Sequence, residues 1–128
     1  MPLTESKFQY INSKELRDGA GNVSESDFSA AHLVEIISNW EVAVHKAVGR
    51  SLGSAWLETD EVYSILKQAV LFGCKSQVYE EMDNKDVEST KAFTRYEYFL
   101  GLLKDTTVGG DSSGEFQDTT GMDGFEAI

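Results

Sequence analysis

Three stretches of this chain repeat their apolar residues every three or four positions, and each is long enough for several helical turns. In the first, Leu33, Ile37, Trp40, Val44 and Ala47 fall on one face, which predicts a helix from roughly Ser26 to Val48. Ser24, Ser26 and Ser29 compete as its cap, and Gly49 follows the last periodic residue where a helix-ending glycine belongs. The second stretch predicts a helix from Thr59 or Asp60 to about Met82. Eleven of the eighteen residues from Val62 to Tyr79 are apolar, which marks it as the central and most buried helix. Its polar residues Ser64, Lys67, Gln68 and Lys75 fall within one narrow stripe. The third, about Ser89 to Lys104, would bury Ala92, Phe93, Tyr96, Phe99, Leu100 and Leu103.

Between and before these stretches the punctuation is local. "KFQYI" suits a short strand or an extended arm. In "NSKELRD", Asn12 with Glu15 three residues on makes a capping box for a short helix that "GAGN" ends. "GRSLGSAWLE" reads as loop, with Trp56 and Leu57 too apolar to be merely solvated. The expected fold class is all-α: a small bundle of three long helices plus a short N-terminal helix, with extended N- and C-terminal arms. Residues 1–104 form the helical domain, and residues 105–128 form an acidic, Gly-rich docking arm.

That last segment, "VGGDSSGEFQDTTGMDGFEAI", has no helical or strand period and a composition typical of disorder. Phe116, Met122, Phe125 and Ile128 are its apolar anchors. Burying so few large side chains returns far less free energy than fixing some two dozen backbone residues costs, so a partner's surface is expected to hold it. Charge points away from nucleic-acid binding. The chain has 22 acidic and 11 basic residues, and residues 105–128 carry six carboxylates and no base. Affinity for phosphates needs clustered Lys and Arg. Such a surface suits a protein that faces DNA without sticking to it, one that mimics DNA, or one from a high-salt cytoplasm.

The residues offer little for catalysis. One cysteine and two histidines make neither a disulfide framework nor a zinc set. His32 and His45 lie about 220° apart around one helix and cannot share a metal. Glu41 and His45 align at i, i+4 and read as a solvated helix pair, without the i, i+3 spacing of di-iron bundles. "DSSGEFQD" fails as a calcium loop, because Phe116 stands where the sharp turn needs Gly and no bidentate Glu follows. Cys74, in a mostly apolar helix, reads as a buried structural thiol. There is no phosphate-binding loop and no GxSxG, so neither an enzyme nor a cofactor is expected. No run of about 18 apolar residues suggests a membrane span, and the N-terminus lacks the basic and apolar regions of a signal peptide. A soluble protein within the cell, or within a particle assembled there, is expected.

Some apolar residues fall on the wrong faces of their helices. Val42 points about 180° from the Leu33 stripe. Leu71 interrupts the polar stripe of the second helix, and Tyr98 with Leu102 shares a face with Lys91 and Arg95. With Trp56 of the loop, these are the candidate subunit contacts.

"FQYINSKELRDGAG", the helix "DFSAAHLVEIISNWEVAVHKAVGR" ending in Gly-Arg, the Trp56 loop, "TDEVYSILKQAVLFGCKSQVYEEM" and "FTRYEYFLGLLK" follow one another as a pattern. Over residues 8–104 this order resembles a head–tail adaptor (connector) of tailed double-stranded DNA viruses, most closely in "VGR" and "YxxxKQAVL". The resemblance implies a structural virion protein, assembled in the host cytoplasm and located at the head–tail neck. It implies a homo-oligomeric ring of about a dozen copies, docked on the portal protein and meeting a tail or neck protein on the distal side. DNA would pass through the ring without specific binding, no membrane would be involved, and the C-terminal segment would reach onto the portal. The segment after Lys104 is longer and richer in Gly than the resemblance leads one to expect. The alternative is an acidic regulatory or DNA-mimic protein that fills a basic groove on a host nucleic-acid enzyme. It would place its acids along one face, whereas these scatter over all three helices. A third class, an enzyme built on Glu41, His45 or Cys74, has less in its favour.

Overall fold

Local signals at the chain's first helix do what their chemistry suggests. Asn12 Oδ1 accepts from the Glu15 amide at 2.8 Å, and the Glu15 carboxylate accepts from the Asn12 amide at 2.9 Å. This capping box starts α1, Ser13–Gly19. A left-handed Gly21 (φ 90°) ends it, with the Asn22 amide returning to the Arg17 carbonyl at 2.8 Å. The chain is described here by a computed structural model covering residues 5–105; the Phe116, Met122, Phe125 and Ile128 anchors lie outside the described residues.

Of the three competing serines, Ser29 caps α2, Ala30–Ala47, through the His32 amide. Ser24 organises the turn before it, accepting from the Asp27 amide. Gly49 adopts φ 75°, and the Arg50 amide reaches the His45 carbonyl at 2.8 Å, closing the helix as expected. α3 spans Tyr63–Glu80 and begins later than its periodicity suggests. Asp60 spends its carboxylate on the Leu57 amide, forming a turn ahead of the helix instead of capping it. α4, Asp86–Lys104, starts one turn early, just after a left-handed Asn84 (φ 63°). The architecture is all-α, with four helices and no strand among the described residues. "KFQYI" is not a strand: Gln9 sits at φ 58°, which breaks any extended run.

α3 is central. Leu66, Ala69, Val70, Cys74 and Val78 are buried, and α1, α2 and α4 all pack against this helix. α2 and α3 run in opposite directions, since His32 meets Glu81 while Trp40 meets Gln77. Their contact is set by a missing side chain. The Trp40 indole lies directly on Gly73, where an added Cβ would stand 2.8 Å from Cδ2 of the ring. The ring cannot retreat, because Nε1–H donates to Gln77 Oε1 at 2.8 Å and Tyr96 packs edge-on against it. α3 and α4 form a helical hairpin, tied near its turn by Ser89 Oγ–H donating to the Ser76 carbonyl.

Substituting Gly73→Ala therefore sets a helix-propensity gain of about 1 kcal/mol against an overpacking cost of about 1–3 kcal/mol. Net destabilisation is expected by urea denaturation, and the cost should shrink when Trp40 is also reduced to Leu.

Candidate functional site

Glu41 and His45 are not a solvated pair; both are 0% exposed. The N-terminal segment lies over them and makes the polar contacts that water would otherwise supply. Glu41 Oε2 accepts from Ser6 Oγ–H at 2.9 Å and from the Tyr10 amide at 3.1 Å, while Oε1 accepts from the Phe8 amide at 3.1 Å. The left-handed turn at Gln9 brings the Phe8 and Tyr10 amides to the same carboxylate. The Gln9 amide donates to Ser6 Oγ, so the segment from Ser6 to Tyr10 wraps the carboxylate with its own backbone. Burial pushes the Glu41 carboxyl above its ordinary value, and the donated hydrogen bonds oppose that rise.

A second chain of hydrogen bonds begins one turn along α2. His45 Nδ1–H donates to the Ser51 carbonyl at 3.1 Å, which leaves Nε2 to accept from the Tyr10 hydroxyl at 2.7 Å. That hydroxyl also accepts from the Trp56 amide at 3.0 Å. Phe8 stacks on the imidazole at 4.1 Å between ring centres, and Trp56 meets it edge-on at 4.8 Å. Arg50 then pins the loop. It donates to the Ser54 and Ala55 carbonyls, and its guanidinium lies 4.3 Å from the Trp56 ring centre. Desolvation drives the Tyr10 hydroxyl up to about 12 and holds His45 below its ordinary 6.5. These hydrogen bonds join the N-terminal segment, α2 and the loop from Arg50 to Trp56.

Trp56 is thus a correction to the sequence reading. It is 4% exposed and belongs to this chain's own core, while its neighbour Leu57 is 64% exposed. Val42 is half-buried, and so is Leu71, which packs against the core beside Gly19. α1 covers that part of α3, so Leu71 interrupts the polar stripe for an intrachain reason. Leu102 is also half-buried, and Tyr98 is 56% exposed. Phe93, expected in the core, is 42% exposed, although it meets Trp40 and Tyr96. Cys74 is buried as expected, with burial raising its thiol well above the ordinary range. The candidate contacts do not converge on one surface: Trp56 and Leu71 face inward, and Tyr98 looks outward from α4.

Two hollows flank this body. One, about 570 Å³, lies between the N-terminal segment, α1 and α3, with Glu5, Glu15, Glu58, Tyr10, Tyr63 and Lys67 among its walls. The other, about 540 Å³, lies where α4 leaves α2, with Trp40 and Phe93 as its aromatic walls and Glu80 and Glu97 at its edges. Among the described residues, no three His, Cys, Asp or Glu side chains gather as a metal-binding group, and no helix is long and apolar enough to cross a membrane. Compared with protein-family models, curated proteins and solved structures, the chain shows no match.

The two histidines should titrate in opposite directions. The Glu81 hydrogen bond, with Glu35 adding to it, holds His32 above 6.5, whereas burial holds His45 below it. His32 therefore contributes stability that is present below pH 6.5 and lost as pH rises through its folded pKa. His45 contributes stability that is present above pH 6.5 and lost as pH falls through its folded pKa. Imidazole nitrogen shifts followed by NMR should show His32 charging first as pH is lowered, with the Nδ1–H tautomer of His45 persisting. Glu41→Ala would leave three donors unpaired beneath the segment. At about 1–3 kcal/mol for each unpaired donor, a loss of about 3 kcal/mol or more is expected in urea denaturation. Amide exchange at Phe8 and Tyr10 should accelerate with it.

Proposed function

We propose that this chain is a structural interaction protein, a head–tail adaptor that assembles between the portal and the tail or neck components of a tailed double-stranded DNA virus. The order of sequence elements over residues 8–104 supports this reading. So does the way the described residues use their chemistry. The buried ionisable groups Glu41 and His45 are committed to holding the fold, while the exposed side chains that stand out are contact-forming ones: Val87, Phe93 and Tyr98 on α4, and Leu57. Exposed aromatic and aliphatic side chains concentrated on one helix carry the proposal, because they favour a protein partner over a small polar substrate.

In this reading the three long helices and the short first helix form the wall of one subunit in a bundle, and the wall repeats around a ring. The acidic balance lets DNA slide past without being held. The acidic segment 105–128 docks on the portal, and the ring multiplies weak individual contacts into firm attachment.

The test is co-sedimentation of the full chain with purified portal rings, imaged by electron microscopy. Added density at the portal's exit face supports the adaptor role, and the absence of any portal complex at micromolar concentrations removes it. Deleting residues 106–128 is expected to abolish the complex while leaving far-UV circular dichroism close to the full chain's.

A further inference from the structure

α4 carries two different stripes. Val87, Lys91, Arg95 and Tyr98, spaced i, i+4, i+8 and i+11, share its outward face. All four are exposed, Val87 by 63% and Tyr98 by 56%. Thr90, Phe93, Thr94 and Glu97, spaced i, i+3, i+4 and i+7, share the neighbouring face that looks toward Trp40, and they border the 540 Å³ groove. On the far side of that groove stands Glu80 of α3.

The stripes are complementary in charge and in texture. One presents two cations, an aromatic ring and an aliphatic side chain. The other, together with Glu80 of α3, presents two carboxylates around a hollow walled by Trp40 and Phe93. Lys91, Arg95, Glu80 and Glu97 are all exposed, and none of their side chains has an ion-pair or hydrogen-bond partner among the described residues. Both stripes lie on the same helix but point in different directions, so one copy cannot satisfy its own pair.

We propose that the Val87–Lys91–Arg95–Tyr98 stripe of one copy seats in the Trp40–Phe93 groove of a second copy, with its two cations set against Glu80 and Glu97. Tyr98 and Val87 supply the apolar contact, and a guanidinium or ammonium over the exposed aromatic faces adds cation–π attraction. Isolated exposed ion pairs are weak, so they set register and partner choice more than strength. Because the stripe and the groove are different surfaces, the contact is head-to-tail, and it repeats around a ring or along a filament. The inference rests on the adaptor reading only for its setting; the surfaces are argued from the chain's own charges and exposure.

The experiment is sedimentation velocity of the full chain over a range of concentrations, with two charge-reversal pairs, K91E/R95E and E80K/E97K. All four positions are exposed, so both variants should keep the native circular dichroism spectrum. Wild type is expected to associate as concentration rises, and high salt should weaken that association. Each variant alone should associate at least tenfold more weakly. An equimolar mixture of the two should recover association, because the acidic stripe of one then meets the basic groove of the other. A wild-type chain that stays monomeric at high micromolar concentration overturns the proposal, as does association unaffected by either reversal. If K91E/R95E disrupts association and E80K/E97K does not, the cations meet the acidic segment 105–128 instead of the groove, and the proposal again fails. Portal binding reads the adaptor role separately: a chain that binds portal but fails these tests loses this interface alone.

Discussion

The carboxylate of Glu41 is buried without a cation, and the way it is satisfied fixes how the N-terminal segment meets α2. A buried charge with no compensation would cost several kcal/mol or neutralise itself. Here the compensation comes from the backbone of residues 6–10, bent at Gln9 so that two amides and the Ser6 hydroxyl reach the same group. The bend also aims Tyr10 at His45 and at the Trp56 amide. From there Arg50 locks the loop that leads toward α3. One polar requirement on α2 thus orders the N-terminal segment, the end of α2 and the following loop together.

The opposite side of the molecule is built on closeness instead of polarity. Gly73 lets the Trp40 indole reach the backbone of α3, and the same ring takes edge contacts from Phe93 and Tyr96. α3 is consequently enclosed, whereas α4 is covered mainly along the face it turns to α3. Only Ala92, Tyr96 and Leu103 of that helix are buried. A helix supported along one face leaves others for a partner. Its unpaired cations and the neighbouring acidic groove give that availability a direction.

Several features were legible because they are local. The Asn12–Glu15 box, the glycine after Val48 and the Ser29 cap depend on residues a few positions apart, and the central helix shows itself by its own apolar content. Their hydrogen-bonding options are set by short-range geometry. The buried pair was misread although a signal existed. Glu41 lies four residues after Ile37 and three before Val44, at the edge of the apolar stripe. Leu71 is more covered and Phe93 less covered than their helical positions suggest, because exposure on a helix depends on what packs beside it. α1 covers Leu71, while nothing among the described residues fully covers Phe93.

The amino-acid order alone was enough for the helical class, the four helices among the described residues and the caps of the first two, since those free energies are contributed within a turn or two of chain. It could not say which residues of the 50–57 loop turn inward, as Trp56 and Leu57 do oppositely, nor that an acid and an imidazole would be sealed beneath an arm thirty-odd positions away. Those outcomes depend on groups distant in sequence meeting in space, where desolvation and mutual satisfaction are settled jointly and no short window contains the partners.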